Sequence, residues 1–101
     1  MAYAVVWTAT AAADLRAAAQ YIARDNPGAA AGLVKRILAR VDAAAAFPFA
    51  QRRVPEIEAE HTREAVLNPY RVVYAVNEAA ATITILRVWH AARGVPGLDK
   101  L

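Results

Sequence analysis

The stretch REAVLNPYRVVYAVNEAAATITILRVW, residues Arg63–Trp89, decides the fold. It contains three runs rich in β-branched and aromatic residues, REAVL, YRVVYAV and TITILRVW, which are separated by Asn68-Pro69 and by Asn77–Ala81. Short runs of this composition, bounded by turn-forming residues, are typical of strands that follow one another through hairpins. The stretch therefore predicts a three-stranded antiparallel meander.

The residues before this stretch predict one strand followed by two helices. Tyr3–Trp7 is β-branched and aromatic, which favours a strand. Thr10 then predicts the N-cap of an amphipathic helix that ends near Arg24. Asn26-Pro27 supplies a second N-cap and a first-turn proline, and the helix that begins there ends at Phe47-Pro48. Two helices joined so closely predict a helical hairpin.

These elements together predict an α+β fold with the order β-α-α-β-β-β. Residues 1–101 are expected to form a single domain, with a four-stranded, mainly antiparallel sheet and the helical hairpin on one face. Residues 48–60 lack a hydrophobic period and predict an irregular surface loop that can include one helical turn. Because nothing else remains to cover the other face of the sheet, we expect that face to stay open and to require a partner.

Composition restricts the classes of function. The chain has 58% apolar and 21% charged residues, no cysteine, and a net charge of +3, with a pI near 9.7. The lack of cysteine excludes disulfides and thiolate zinc sites. No segment reaches the roughly 18 apolar residues of a membrane span, so we expect a cytoplasmic protein. The basic excess favours acidic proteins or nucleic acids as partners.

Five segments occur in a characteristic order along the chain: VVWTATAAADL, YIARDNPGAA, FPFAQRRVPEI, REAVLNPYRVVYAV and ITILRVWHAAR. With these segments in this order, the chain resembles the RelE/ParE superfamily of toxins from type II toxin–antitoxin systems. Within the five segments, the residues that match the family motifs are Tyr70, Arg71, Tyr74, His90 and Arg93. The resemblance implies the same α+β fold and two competing activities.

One activity is the metal-independent cleavage of messenger RNA by the RelE-like nucleases. Such a reaction needs a base, an acid and clustered cations around the scissile phosphate. The chain keeps the expected arginine as Arg71, but Thr62–Val66 contains no lysine, Ala91 stands roughly where a later arginine is expected, and no tyrosine follows Tyr74. A histidine-based nuclease remains as an alternative. It would use His90 as the acid, with Arg71 or Arg93 stabilising the developing charge.

The ParE-like branch matches better, through the DNP turn, the RRVPE loop, the YRVVY strand and the H-x-x-R segment. This resemblance implies a toxin that inhibits DNA gyrase by binding, without catalysis, cofactor or metal. It implies growth inhibition, a role in plasmid stabilization, and neutralisation by a ParD-type antitoxin, whose ribbon-helix-helix dimer extends a C-terminal segment around the toxin. An inactive module that only binds an antitoxin is a third alternative.

The expected antitoxin-binding surfaces are the open sheet face and the groove of the helical hairpin. The residues chosen for the groove are Leu15, Ile22, Leu33 and Ile37.

Each motif residue also has a purely structural interpretation. Arg71 would pair with Glu64 across neighbouring strands. His90 would bond a backbone carbonyl at the end of the sheet. The aromatic residues would be packing residues: Trp7, Tyr70, Tyr74 and Trp89.

Overall fold

The computed structural model describes residues 2–56 and 59–93. Its strands form one five-stranded sheet in the order β1-β5-β4-β3-β2, in which β1 is parallel to β5 and the other pairs are antiparallel. The elements are β1 (Ala4–Trp7), α1 (Ala9–Ala23), α2 (Pro27–Ala46), a 3-10 turn (Pro48–Ala50), β2 (Arg52–Arg53), β3 (Thr62–Leu67), β4 (Tyr70–Asn77), β5 (Thr82–His90) and a second 3-10 turn (Ala91–Arg93).

The predicted α+β class and the order of the four long strands and two helices are confirmed. The strand count differs by one, because Arg52–Arg53, inside the segment predicted to be irregular, pairs with β3 as strand β2. Two residues are too few to show a period of two, so the sequence pattern gives no signal for this strand.

The start of α1 also differs from the prediction. Its N-cap is Thr8, whose Oγ1 accepts a hydrogen bond from the Ala11 amide at 3.1 Å, and Thr10 lies inside the helix. The same Oγ1 donates to the Ile85 carbonyl at 2.7 Å. Thr8 therefore joins the beginning of α1 to β5. The Asn26 prediction is confirmed, since Oδ1 of Asn26 accepts from the Ala29 amide at 3.0 Å and caps α2.

The main core lies between the helical hairpin and one face of the sheet, here called the helix face. Tyr74 is fully buried there, and its hydroxyl donates to the Pro48 carbonyl at 2.6 Å. Burial raises the pKa of Tyr74 to about 12. The predicted packing role of Tyr74 is confirmed. Its neighbours in the buried cluster include Leu33, Ile37, Val41, Val72, Val76, Ile83, Ile85 and Val88.

A β-bulge in β5 decides which side chains reach each face. Val73 is opposite Arg87, but the next residue of β4, Tyr74, is opposite Ile85, so Leu86 is an extra residue in β5. The inward-facing positions therefore change from odd to even numbers along β5: Ile85 lies in the core before the bulge and Val88 after it. Trp89, which neighbours Val88, consequently projects from the opposite face.

That opposite face, here called the second face, is not the open apolar surface that we expected. Val73 and Glu64 are 0% and 1% exposed, and Trp89 is 7% exposed. The chain after β2 returns over this face, because the Glu56 carboxylate reaches Arg71 at 2.5 and 2.8 Å. The prediction of an uncovered sheet is wrong for the part of this face around Arg71, since the contact with Glu56 brings residues 54–56 onto it. At the β1 edge of the same face, Val6 remains 49% exposed.

In the part of the chain that the structure describes, neither helix is apolar enough over a sufficient length to cross a bilayer.

Candidate functional site

Arg71 is the centre of an ion-pair cluster on the second face. Its Nε donates to Glu64 at 2.7 Å, and its two terminal nitrogens donate to the Glu56 carboxylate. Arg52 contacts the other oxygen of Glu64. The hydrogen bonds from Arg71 lower the pKa of Glu56, and Glu56 and Glu64 in turn raise the pKa of Arg71. The predicted Arg71–Glu64 pair is confirmed, and Glu56 adds a partner that the sequence did not indicate.

Two carboxylates leave Arg71 poorly suited to hold a phosphate. Its side chain is only 10% exposed, and its guanidinium nitrogens already donate to Glu56 and Glu64. A phosphate would have to displace one of these charge-assisted contacts, which are among the stronger hydrogen bonds in proteins. The arrangement therefore favours a structural role, in which Arg71 holds residues 54–56 on the sheet.

His90 lies on the helix face, at the end of β5. Its ring contacts the Tyr70 ring edge-on, with 5.2 Å between the centroids. Its Nδ1 accepts a hydrogen bond from the Ala92 amide at 3.1 Å, whereas the sequence led us to expect a bond to a carbonyl. Because Nδ1 is the acceptor, the neutral ring carries its proton on Nε2.

A cleft of about 440 Å³ separates His90 from α1. Tyr21, Tyr70 and His90 supply aromatic rings, and the remaining lining residues are Ala13, Asp14, Ala17, Ala18 and Val88. Asp14 is already occupied, since its carboxylate accepts from the Arg87 guanidinium at 2.8 and 3.0 Å and from the Val88 amide at 3.0 Å. This carboxylate takes the place of a strand neighbour where β5 continues beyond the last residue of β1.

Of the predicted motif residues, the structure brings Tyr70 and His90 into contact but keeps Arg71 apart from them. Tyr70 and His90 lie on the helix face, Tyr74 is in the core, and Arg71 lies on the second face. The side chain of Arg93 lies outside the described part of the chain. Among the residues that the structure describes, no three His, Asp or Glu side chains are grouped as metal ligands.

An apolar depression lies between α1 and α2 on the outer side of the hairpin and is here called the hairpin groove. One part of it has a volume of about 470 Å³ and an adjoining part about 270 Å³, and both are lined by Ala19 and Val34. Leu38, which lines the larger part, is 43% exposed. The other residues of the larger part are Trp7, Ala12, Leu15 and Arg16. Alanines on both helices form most of the smaller part.

Three of the four residues chosen from the sequence for this groove are not among its lining residues. Leu33 and Ile37 are 4% and 0% exposed and belong to the core, so they present no surface to a partner. The side chains that face the groove are the next ones along α2, Val34 and Leu38, because one residue corresponds to a rotation of about 100°. Leu15 does line the groove, whereas Ile22 is half-buried against the core.

Comparisons with known proteins agree on one family. Residues 5–95 match the family model described as ParE toxin of type II toxin-antitoxin system, parDE. A curated relative from Sinorhizobium fredii, Y4kP, whose name describes it as a candidate toxin, is 39% identical over 92 residues, which cover 89% of this chain and 90% of the relative.

Two solved structures have similar folds at 26% sequence identity. One is from the chromosomal ParDE toxin–antitoxin system of P. aeruginosa, with a TM-score of 0.70 over 87% of this chain and 95% of the other. The second is from the toxin–antitoxin complex RelBE2 of Mycobacterium tuberculosis, with a TM-score of 0.62 over 91% of this chain and 94% of the other.

Proposed function

Because the chain belongs to the ParE toxin family of type II toxin–antitoxin systems, we propose that it inhibits DNA gyrase by binding and that a ParD-type antitoxin neutralises it. We choose gyrase over RNA as the target because the Arg71 guanidinium is already bound to carboxylates. Arg71 is the one motif arginine whose side chain the structure describes, and two carboxylates occupy it.

Cleavage of RNA would require cations and an acid on the same side of one site. His90 and Arg71 lie on opposite faces of the sheet, so neither can assist the other at a single phosphate. A toxin that inhibits its target by binding needs a contact surface and no catalytic group. The likeness to the RelBE2 complex keeps RNA cleavage as the alternative that the experiment must test.

The hairpin groove is the surface that best fits the antitoxin. It is apolar, it is flanked by two helices, and its lining residues Trp7 and Leu38 are partly exposed. Beside it, β1 is an edge strand that pairs only with β5, and its Val6 is 49% exposed. An antitoxin segment would place an apolar helix face in the groove and add an extended stretch along β1, which is a common mode of peptide recognition.

The decisive measurement compares the two targets with one purified preparation. Stoichiometric amounts of the chain should stop negative supercoiling of relaxed plasmid by gyrase and accumulate cleaved plasmid, while messenger RNA in a translation extract stays intact. Unchanged supercoiling together with RNA cleavage would contradict the proposal and support the nuclease. Unchanged supercoiling, intact RNA and normal growth on expression would instead support an inactive antitoxin-binding module.

In cells, the proposal places the toxin in the cytoplasm, where gyrase acts on DNA. Expression should slow growth, and co-expression of the antitoxin should restore it. A plasmid that carries such a module would be stabilised, because cells that lose it also lose the supply of antitoxin. A plasmid-loss assay with and without the module measures this effect.

A further inference from the structure

A second groove lies between α2 and β3, on the side of α2 away from the hairpin groove. It has a volume of about 470 Å³, and its lining combines two arginines with apolar side chains: Arg36, Ala39, Arg40, Ala43 and Leu67. We call it the α2/β3 groove. The α2/β3 groove shares no lining residue with the hairpin groove, to which the proposed function assigns the antitoxin.

The arginines of this groove differ from those of the sheet. Every arginine that β2 to β5 contribute, apart from Arg53, has a carboxylate partner: Arg52 and Arg71 with Glu64, Arg63 with Glu60, and Arg87 with Asp14. Within residues 2–56 and 59–93, neither Arg36 nor Arg40 forms an ion pair, although Arg36 donates to the Gly32 carbonyl at 3.4 Å. Both are exposed. Within the described ranges, α2 therefore carries three basic residues without a carboxylate partner, Lys35, Arg36 and Arg40.

The spacing of the two arginines is unfavourable for α2 itself. They are four residues apart, and like charges at this spacing destabilise a helix. Neither lies in the last turn of α2, where the helix dipole would favour a cation. An external anion would remove this repulsion. Positions four residues apart also lie about 6 Å apart along the helix, a separation that acidic residues one turn apart on a partner helix would match.

The floor of the groove indicates what kind of anion it accepts. Ala39, Ala43 and Leu67 present apolar surface between and beside the guanidiniums. A nucleic-acid backbone would leave that surface unused, whereas an amphipathic acidic peptide would cover it with an apolar side chain and direct carboxylates to the arginines. Leu67, at the end of β3, is partly buried against the core, so the fold fixes the position of this part of the floor.

We infer that the α2/β3 groove binds an acidic segment of the cognate antitoxin, with carboxylates on Arg36 and Arg40 and an apolar side chain against Leu67. This inference rests on the proposed function, since it assigns the antitoxin a second contact beyond the hairpin groove. The α2/β3 groove would supply most of the salt dependence of binding, and the hairpin groove would supply apolar contact area.

The test uses the product of the reading frame adjacent to this gene, expressed and purified separately, and measures its dissociation constant with the full chain at low and high salt. The variant Arg36→Glu/Arg40→Glu should bind roughly tenfold to a hundredfold more weakly at low salt, and the difference should shrink as salt rises. Arg36→Gln/Arg40→Gln should show a smaller loss. Circular dichroism and thermal unfolding should be unchanged, because both side chains are exposed.

The matched control is Lys35→Glu/Arg53→Glu, which changes the net charge by the same amount at exposed positions outside the groove. If the unmodified chain binds tightly and both charge-reversal variants lose the same amount of affinity, the inference about the groove is wrong. The proposal that this partner is the antitoxin would still stand. Absence of binding by the unmodified chain would overturn both. The inference is also wrong if Arg36→Glu/Arg40→Glu weakens binding of a labelled DNA duplex but not of the antitoxin. That result would assign the groove to nucleic acid.

Discussion

Arg71 and His90 are on neighbouring strands one register step apart, yet their side chains leave the sheet in opposite directions. His90 is opposite Tyr70, which packs against the core on the helix face, and Arg71 is opposite Trp89 on the second face. The bulge at Leu86 sets this arrangement for the last residues of β5. This arrangement divides the family-motif residues between two surfaces and supports, together with the two carboxylates bound to Arg71, the proposal of a toxin that acts by binding.

The first prediction concerns His90. The variant His90→Ala should keep its toxicity to cells and its inhibition of gyrase within about twofold, because the contacts of the imidazole with other described residues are a local bond from Ala92 and an edge contact with Tyr70. Growth curves and the supercoiling assay measure the effect, with circular dichroism as the control for folding. Complete loss of toxicity in a folded variant would contradict the gyrase proposal and point to acid catalysis.

The second prediction concerns Glu64, a carboxylate buried between two arginines. Glu64→Gln removes the charge but keeps the shape, so Arg52 loses its ion pair and Arg71 keeps only Glu56. We expect the free energy of unfolding in urea to fall by about 3 kcal/mol, as is usual when one member of a buried pair is removed. Glu78→Gln, which affects only the exposed pair with His61, is the control and should cause little change. Equal effects would show that the cluster does not stabilise the fold.

The third prediction concerns the pH dependence that Glu56 creates. Its hydrogen bond from Arg71 lowers its pKa below 4.5 in the folded chain. A lowered folded pKa means that the stabilisation is present above the unfolded pKa and is lost as the pH falls through the folded one. The unmodified chain should therefore be more stable than Glu56→Gln at pH 7, and the difference should disappear in acid. Urea unfolding at pH 7, 5, 4 and 3 tests this. A difference that stays constant over the series would refute the linkage.

Local patterns predicted the long elements of this fold because each pattern reflects a local cause. The β-branched runs of β3 to β5 and the periodic apolar residues of α1 and α2 need no knowledge of distant contacts. The choice between Leu33 and Val34 as the exposed side of α2 is different. Both are apolar and neighbours in sequence, and only the position of α1 decides which one is buried.

The features that the sequence did not reveal depend on distant residues. The second face is covered around Arg71 because Glu56 contacts Arg71, fifteen positions later in the chain. The bulge at Leu86 carries no glycine and no other local mark. Thr8 and Thr10 are equally good N-cap residues by type, and the cap is Thr8 because its hydroxyl also reaches the Ile85 carbonyl. Such contacts become visible only when the whole chain is folded.

The fourth prediction tests that explanation of the cap. Thr8→Ala removes the acceptor for the Ala11 amide and the donor to the Ile85 carbonyl, so the free energy of unfolding should fall by about 2 kcal/mol. Thr10→Ala makes the same chemical change two residues later, at an exposed position inside α1. It should leave stability unchanged or raise it slightly, since alanine is the better helix former. If Thr10→Ala lowers the free energy of unfolding more than Thr8→Ala does, the assignment of Thr8 as the N-cap is wrong.

The fifth prediction concerns the hairpin groove as the apolar contact for the antitoxin. Leu38→Asp places a charge where the antitoxin helix would bury a side chain, so affinity should fall by at least tenfold. Because Leu38 is 43% exposed, the fold should survive the change. Phe47→Asp is the matched control, since Phe47 is a still more exposed apolar residue outside the groove. Calorimetric titration at high salt measures the contribution of the apolar contacts to affinity, because salt screens the charges of Arg36 and Arg40. If Phe47→Asp weakens binding and Leu38→Asp does not, the antitoxin occupies the surface around the end of α2 instead.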